Sequence, residues 1–218
     1  MIVNPKAPCN MPATSNEISV RKYRDKAAGY DQSAEFTMPL RRRTVALLDL
    51  QAGDVVLDVG AGTGLSYNLL LQAVGPAGRV LAFEQSPEMF TQAQKRVEQH
   101  NLKQVWHTCA AAEVVQLPQK ADAVLFNYTH DILRTPQAIT NILRQCQPGA
   151  RVAVAGIKFF PWWAGPLNLL AWAKNQPYNA KAADLWSPWD LLQPHCARFE
   201  RRSTQWGMGY IAHGVLKA

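Results

Sequence analysis

Asp58, Gly60, Gly62 and Gly64 stand at alternate positions at the end of the apolar run VVLDVGAGTG, residues 55–64. Glycines there let a backbone approach a ligand closely and take up positive φ, and Asp58 puts a carboxylate beside them. Two well-known loops are excluded by spacing. A triphosphate loop, G-x-x-x-x-G-K-[ST], needs a lysine that this stretch lacks. A dinucleotide loop, G-x-G-x-x-G, needs its last glycine where Leu65 stands. Glu84, twenty residues beyond Gly64, closes the next apolar run, and a carboxylate there can accept both hydroxyls of a ribose. A third cluster, Asn127-Tyr128-Thr129-His130-Asp131, follows another apolar run. His130 is the general-base candidate, because a neutral imidazole near pH 7 can remove a proton.

These residues need elements to hold them. RRRTVALLDL (41–50) reads as a helix, DVVLDVG (54–60) as a buried strand and LSYNLLLQAV (65–74) as a helix. RVLAFE (79–84) is a second strand. SPEMFTQAQKRVEQHN (86–101) is a helix with Ser86 as N-cap, Pro87 at its first position and Glu88 in its first turn. VWHTCA (105–110) and ADAVLFN (121–127) are strands, PQAITNILRQCQPG (136–149) is a helix closing on Gly149, and ARVAVAGIK (150–158) is a fifth strand. ARFERRSTQ (197–205) and GYIAHGVLK (209–217) form a terminal hairpin. Strands separated by helices give an α/β fold with right-handed parallel crossovers, a Rossmann-like, doubly wound, mostly parallel seven-stranded sheet ending in an antiparallel hairpin. Its ligand should lie beyond the carboxyl ends of the strands, where all three clusters fall.

VVLDVGAGTG, RVLAFEQSPEMFTQA, CAAAEVVQLP and ADAVLFNYTHDILRTPQAITNILRQCQPGARVAV occur in this order. Together they resemble the class I S-adenosylmethionine-dependent methyltransferases, closest to the branch with ubiquinone and menaquinone C-methyltransferases. The resemblance covers about residues 20–158 and implies S-adenosylmethionine as cofactor, with S-adenosylhomocysteine as product. It implies that Gly60, Ala61, Gly62 and Gly64 cradle the cofactor, with Asp58 beside the methionine moiety and Glu84 on the ribose. Gln85 and Met89 would flank the purine, and Asn127 would touch the cofactor from the fourth strand. The family often holds adenine through an Asp in a G-D-A run; here Ala111-Ala112-Glu113 stands instead, so Glu113 or the backbone near Ala112 takes that contact. SVRKYRDKAAGYDQSAEF (19–36) resembles the family's entry segment, in which Tyr23 and Tyr30 close over the cofactor. Asn127 matches the first letter of the [DN]-P-P-[YFW] motif of DNA amino methyltransferases, but both prolines are missing, which argues against DNA as substrate.

Residues 159–195 carry five of the seven tryptophans and form an aromatic, proline-broken segment. Tyr128, Trp162, Trp163 and Trp186 would bind a flat, apolar acceptor there. Packing of these aromatics onto the sheet, and an interfacial anchor built from Trp162 and Trp163 with Lys158 and Lys174, are the other readings. The expected organisation is a mobile tail over 1–18 and a single domain over 19–218, with cover helices in 19–50. The net charge of +7 is uneven, with +3 in residues 1–50, −1 in 51–150 and +5 in 151–218. The basic ends suit an anionic surface, so a peripheral membrane contact is an expectation, and a phospholipid head group or RNA is the alternative acceptor. A non-catalytic cofactor-binding subunit is a further alternative. The longest uncharged run, 159–173, is too short and too proline-broken to span a membrane. Four widely spaced cysteines suggest free thiols and a cytoplasmic setting. His100, His107, His195 and His213 show no metal-ligand spacing, so no metal is expected.

Overall fold

The short apolar runs become strands because helices cover both faces of the sheet's centre, so Val55–Val59, Arg79–Glu84 and Ala121–Asn127 are buried along nearly their whole length. The computed structural model describes residues 37–160, 164–169 and 185–218. The expected tail, Tyr23, Tyr30, Trp162, Trp163 and Trp172 lie outside the described residues. In chain order the elements are α1 (Met38–Ala46), β1 (Val55–Val59), α2 (Tyr67–Val74), β2 (Arg79–Glu84), α3 (Pro87–Gln99), β3 (Val105–Cys109), β4 (Ala121–Asn127), α4 (His130–Leu133), α5 (Pro136–Arg144), β5 (Cys146–Ile157), β6 (Cys196–Thr204) and β7 (Gly209–Leu216).

The described strands form one seven-stranded sheet in the order β3-β2-β1-β4-β5-β7-β6. β1 through β5 run parallel, and β7 joins β5 antiparallel. Successive residues of one strand enter different cores. Leu57, Leu81, Val124 and Val152 pack against α5 through Ala138, Ile139 and Ile142. Val56, Val80, Ala123 and Ala153 pack on the other side with Val45 of α1, Leu70 of α2 and Ala93 of α3. Parallel register brings the carboxyl ends of the inner strands level, with Val59 opposite Phe83 on one side and Phe126 on the other. That alignment gathers the three sequence clusters at one rim. β6 is the outer edge strand, and its exposed arginines oppose pairing with another chain.

Several expected boundaries shift. α1 occupies 38–46 rather than 41–50, because Pro39 suits the first helical turn and Leu47 caps the end. α2 begins at Tyr67 rather than 65, since Gly64 donates to the Ala61 carbonyl at 3.0 Å and Tyr67 to the Gly64 carbonyl at 3.1 Å, which spends those residues in turns. α5 ends at Arg144 rather than Gly149, because Cys146 pairs with Ala121 of β4, and residues 147–150 bulge before pairing resumes at Arg151. α3 starts as expected, with Ser86 Oγ accepting from the Met89 amide at 3.3 Å. Cys146 and Cys196 are free and buried, but Cys109 is disulfide-bonded, which corrects the expectation of free thiols throughout. Wide spacing does not prevent pairing, because loop closure costs grow only slowly with length.

Leu125, fully buried in the central strand β4, tests the core. Leu125→Ala should cost about 2–5 kcal/mol through lost burial and a residual cavity. Urea unfolding should show this as a lower midpoint with an unchanged slope.

Candidate functional site

The rim of β1, β2 and β4 encloses a cavity lined by Asp58, Gly60, Ala61, Gly62, Glu84, Gln85, Met89, Ala112, Asn127 and Tyr128, all expected from the sequence. Gly60 is needed for its missing side chain: it sits at φ 57°, and a Cβ there would come within 2.9 Å of the Thr129 methyl group. Gly62 has open space over its α-carbon and donates its amide to Glu84 at 2.9 Å. Gly64 does not line the cavity; its face abuts the ring of Tyr67.

Asp58 is 2% exposed, and its Oδ2 has no hydrogen-bond partner. Burial pushes its carboxyl up to about 7; the Arg41 guanidinium pulls the other way and Glu84 adds to the rise. Glu84 accepts from the amides of Gly62 at 2.9 Å and Ser86 at 2.8 Å. Burial raises it to about 7 as well, against those hydrogen bonds, while Asp131 raises it further. Tyr128 lies at φ 60°, a left-handed conformation that a bulky residue holds only when its surroundings enforce it. Its amide donates to the Ala155 carbonyl at 2.8 Å, which ties the end of β4 to β5.

Arg41 is the residue that sequence reasoning missed. It is buried, lines the cavity, and donates to Thr37 Oγ1 and Ser66 Oγ, each at 3.1 Å. Its guanidinium carbon lies 5.9 Å from the Tyr128 ring centroid. The signal was helical spacing: positions 37, 41, 44 and 48 share one face, and all four are buried. Thr63, Leu65, Ser86 and Ile132 also line the cavity without having been expected, together with Thr129 and Asp131 of the third sequence cluster.

Besides Gly64, three expected residues are not brought in. Glu113 does not line the cavity, whereas Ala112 does, so of the two adenine candidates the structure puts the backbone near Ala112 in place. His130 is buried and turned away: its Nε2 lies 2.9 Å from both the amide nitrogen and the carbonyl oxygen of Ile157. Burial lowers it to about 4, with the Ile157 hydrogen bond opposing, and the missing side chain of Gly156 leaves room for the ring. The imidazole therefore holds α4 to the exit of β5 and does not face the cavity. Trp186 lies away from it as well, edge-on to Phe159 at 5.1 Å.

The cavity lining holds three carboxylates, Asp58, Glu84 and Asp131, against one guanidinium, Arg41. Such a site favours a ligand with positive charge. The partnerless Asp58 Oδ2 fits an ammonium donor, and Asn127 Oδ1 and Thr129 Oγ1 nearby also lack partners. The residues present thus fit a molecule with an ammonium, a sulfonium and a ribose. A glycine-turned rim on a 3-2-1-4-5-7-6 sheet, with acidic groups ending β1 and β2, defines the class I S-adenosylmethionine-dependent methyltransferase fold.

A family described as "Methyltransferase domain" matches residues 56–149. The chain is 33% identical to a protein-L-isoaspartate O-methyltransferase of Aeropyrum pernix, over 51% of this chain and 42% of that protein. It is 26% identical to a ubiquinone/menaquinone biosynthesis C-methyltransferase of Hydrogenovibrio crunogenus, over 67% of this chain and 54% of the relative. A SAM-dependent methyltransferase from Aquifex aeolicus shares the fold at 20% identity with a TM-score of 0.69, over 88% of this chain and 97% of that one. Residues 56–149 therefore match a methyltransferase domain, and the chain shares the fold of a SAM-dependent methyltransferase. It spans about half the length of these two curated relatives.

The raised Asp58 carboxyl predicts a pH effect. Between its ordinary value of 3.8 and about 7, the folded protein keeps a proton that the unfolded chain has released. Stability contributed by this group falls as pH rises through that window. Ligand-free Asp58→Asn should therefore gain on the unchanged protein between pH 4 and 7, hold its advantage above 7, and match it below 4. Thermal unfolding across pH measures this; parallel curves would place a charged Asp58 in the fold at ordinary carboxylate pH.

Proposed function

We propose that the protein transfers a methyl group to a small apolar or aromatic acceptor. One observation carries the reading: a buried carboxylate, Asp58, with a partnerless oxygen in a cavity whose lining charge is net negative. S-Adenosylmethionine, when bound, would supply an electrophilic methyl carbon on a sulfonium: an electron pair of the acceptor would take the methyl, the S–CH3 pair would return to sulfur, and any proton lost from the acceptor would pass to water. The chain's part is to bind, orient and exclude water. Asp58 would hold the ammonium of the methionine moiety, and Arg41, which lines the same cavity and offsets the charge of Asp58, would bind its carboxylate. Glu84, preset by the Gly62 and Ser86 amides, accepts from the ribose hydroxyls. Met89 and Ala112 pack on the adenine, and Gln85 bounds it.

Rate then comes from holding an acceptor in line within about 3–3.5 Å of the methyl carbon in a dry site, which can supply much of the acceleration without a base. This suits a cavity that His130 does not face. Tyr128, fixed in its left-handed conformation, lines the same cavity, and we assign it to the acceptor. Among relatives of similar sequence is a 2-phytyl-1,4-naphtoquinone methyltransferase, which supports a flat apolar acceptor.

Two measurements test this. Glu84→Ala should weaken S-adenosylhomocysteine binding by about 10-fold or more, given 1.5–3 kcal/mol for hydrogen bonds to a charged group. Calorimetric titration reads it, and unchanged affinity would remove Glu84 from the ribose. Incubation of the protein with methyl-labelled cofactor and whole-cell extract should place label in the organic fraction. Label in RNA or protein would overturn the small-molecule acceptor and favour the basic ends as substrate surface.

A further inference from the structure

Trp206 is fully exposed, at 100%. It sits in the turn between β6 and β7, where both Gln205 (φ 51°) and Trp206 (φ 58°) adopt left-handed backbone. Two consecutive non-glycine residues in that region cost roughly 1–3 kcal/mol each, so the fold spends stability on presenting an indole to solvent.

Three further large apolar side chains are exposed nearby: Leu167 at 49%, Leu169 at 66% and Trp186 at 48%. All belong to segments tied to the exit of β5. Asn168 Oδ1 accepts from the Phe160 amide at 2.7 Å, and its Nδ2 donates to the Phe160 carbonyl at 3.1 Å, fixing the stretch that carries the two leucines. Trp186 meets Phe159 edge-on at 5.1 Å. The Lys158 amide donates to the Met208 carbonyl at 2.8 Å, and a Cβ on Gly207 would lie 3.3 Å from the Phe160 ring, which anchors the Trp206 turn to the same strand.

Between these segments opens a groove of about 340 Å³ lined by Lys158, Phe160, Trp186, Arg201 and Arg202 among others. It shares no residue with the cofactor cavity. No carboxylate pairs with Lys158, Arg201 or Arg202 among the described residues. Arg201 instead lies over the Trp189 ring at 4.8 Å, and its charge, after burial, disfavours the protonated Lys158 ammonium. Edge-strand protection explains arginines along β6, but not exposed tryptophans and leucines beside them. Exposed indoles and leucines around unpaired cations are the pattern of a surface that dips into the headgroup layer of an anionic bilayer.

We propose that this face, formed by Trp206, Trp186, Leu167 and Leu169 with Lys158, Arg201 and Arg202, seats the protein on a membrane surface containing anionic lipid. Trp206 and the leucines enter the boundary between head groups and acyl chains, and the three cations meet the lipid phosphates. The surface stands independently of the cofactor cavity and of the acceptor.

Sedimentation of the full chain with vesicles tests this, using phosphatidylcholine with and without phosphatidylglycerol. The protein should pellet with the anionic vesicles and stay free of the neutral ones, and added salt should release it. Arg201→Gln with Arg202→Gln should weaken binding by about 10-fold or more, from the attraction of each basic residue to an anionic surface. Trp206→Ser should weaken binding comparably and reduce the blue shift of tryptophan emission on binding. Both variants alter exposed side chains, so unchanged S-adenosylhomocysteine affinity and melting temperature confirm an intact fold. Absence from both vesicle pellets, equal binding to both lipids, or variants that bind like the parent would each overturn the proposal.

Discussion

A carboxylate that is almost wholly removed from water is the constraint around which the site is built. Asp58 stands at the end of a strand whose other residues are core, and a lone buried anion is strongly disfavoured. Its neighbours answer that cost only in part. Arg41 supplies a positive charge from α1, while Glu84 and Asp131 add negative charge from β2 and the start of α4. The balance left over is a cavity short of positive charge. Binding a cation there relieves an unfavourable state of the protein itself, which couples recognition to the energetics of the fold.

The parallel sheet is what allows these groups to meet. β1, β2 and β4 each end at a cavity-lining residue or one step before it: Val59 precedes Gly60, β2 closes on Glu84, and β4 closes on Asn127. Because register is parallel and level, chain positions nearly seventy residues apart become neighbours at a single rim. Tight local features then set the detail. Gly60 leaves space for Thr129, the Gly62 amide orients Glu84, and Tyr128 is held at positive φ by the pairing of β4 with β5.

Past β5 the molecule changes character. The antiparallel pair β7 and β6 closes the sheet with exposed arginines, and the turn between them lifts a bare tryptophan into solvent. Two environments are thus separated along the same carboxyl rim: a cavity with a net negative lining at its centre, and a basic, apolar face at its side. The uneven charge visible along the chain, negative in the middle and positive at the end, is the one-dimensional trace of this division.

What the chain order alone determined is the alternation of apolar runs with amphipathic stretches, and so the doubly wound sheet, together with the residues that must stand at strand ends. Asp58, Gly60, Gly62, Glu84 and Asn127 were legible as cavity residues because strand ends and positive-φ positions are local, periodic features. Ser86 was legible for the same reason, since a cap and its proline lie within one turn. Arg41, the turning away of His130, the displacement of Glu113 and the pairing of Cys109 were decided only by tertiary structure. Each depends on which distant segment packs against it. Arg41 faces inward because Thr37 and Ser66 meet it, and His130 faces Ile157 because Gly156 leaves room. Burial and partnership are properties of the packed chain, and no local pattern carries them.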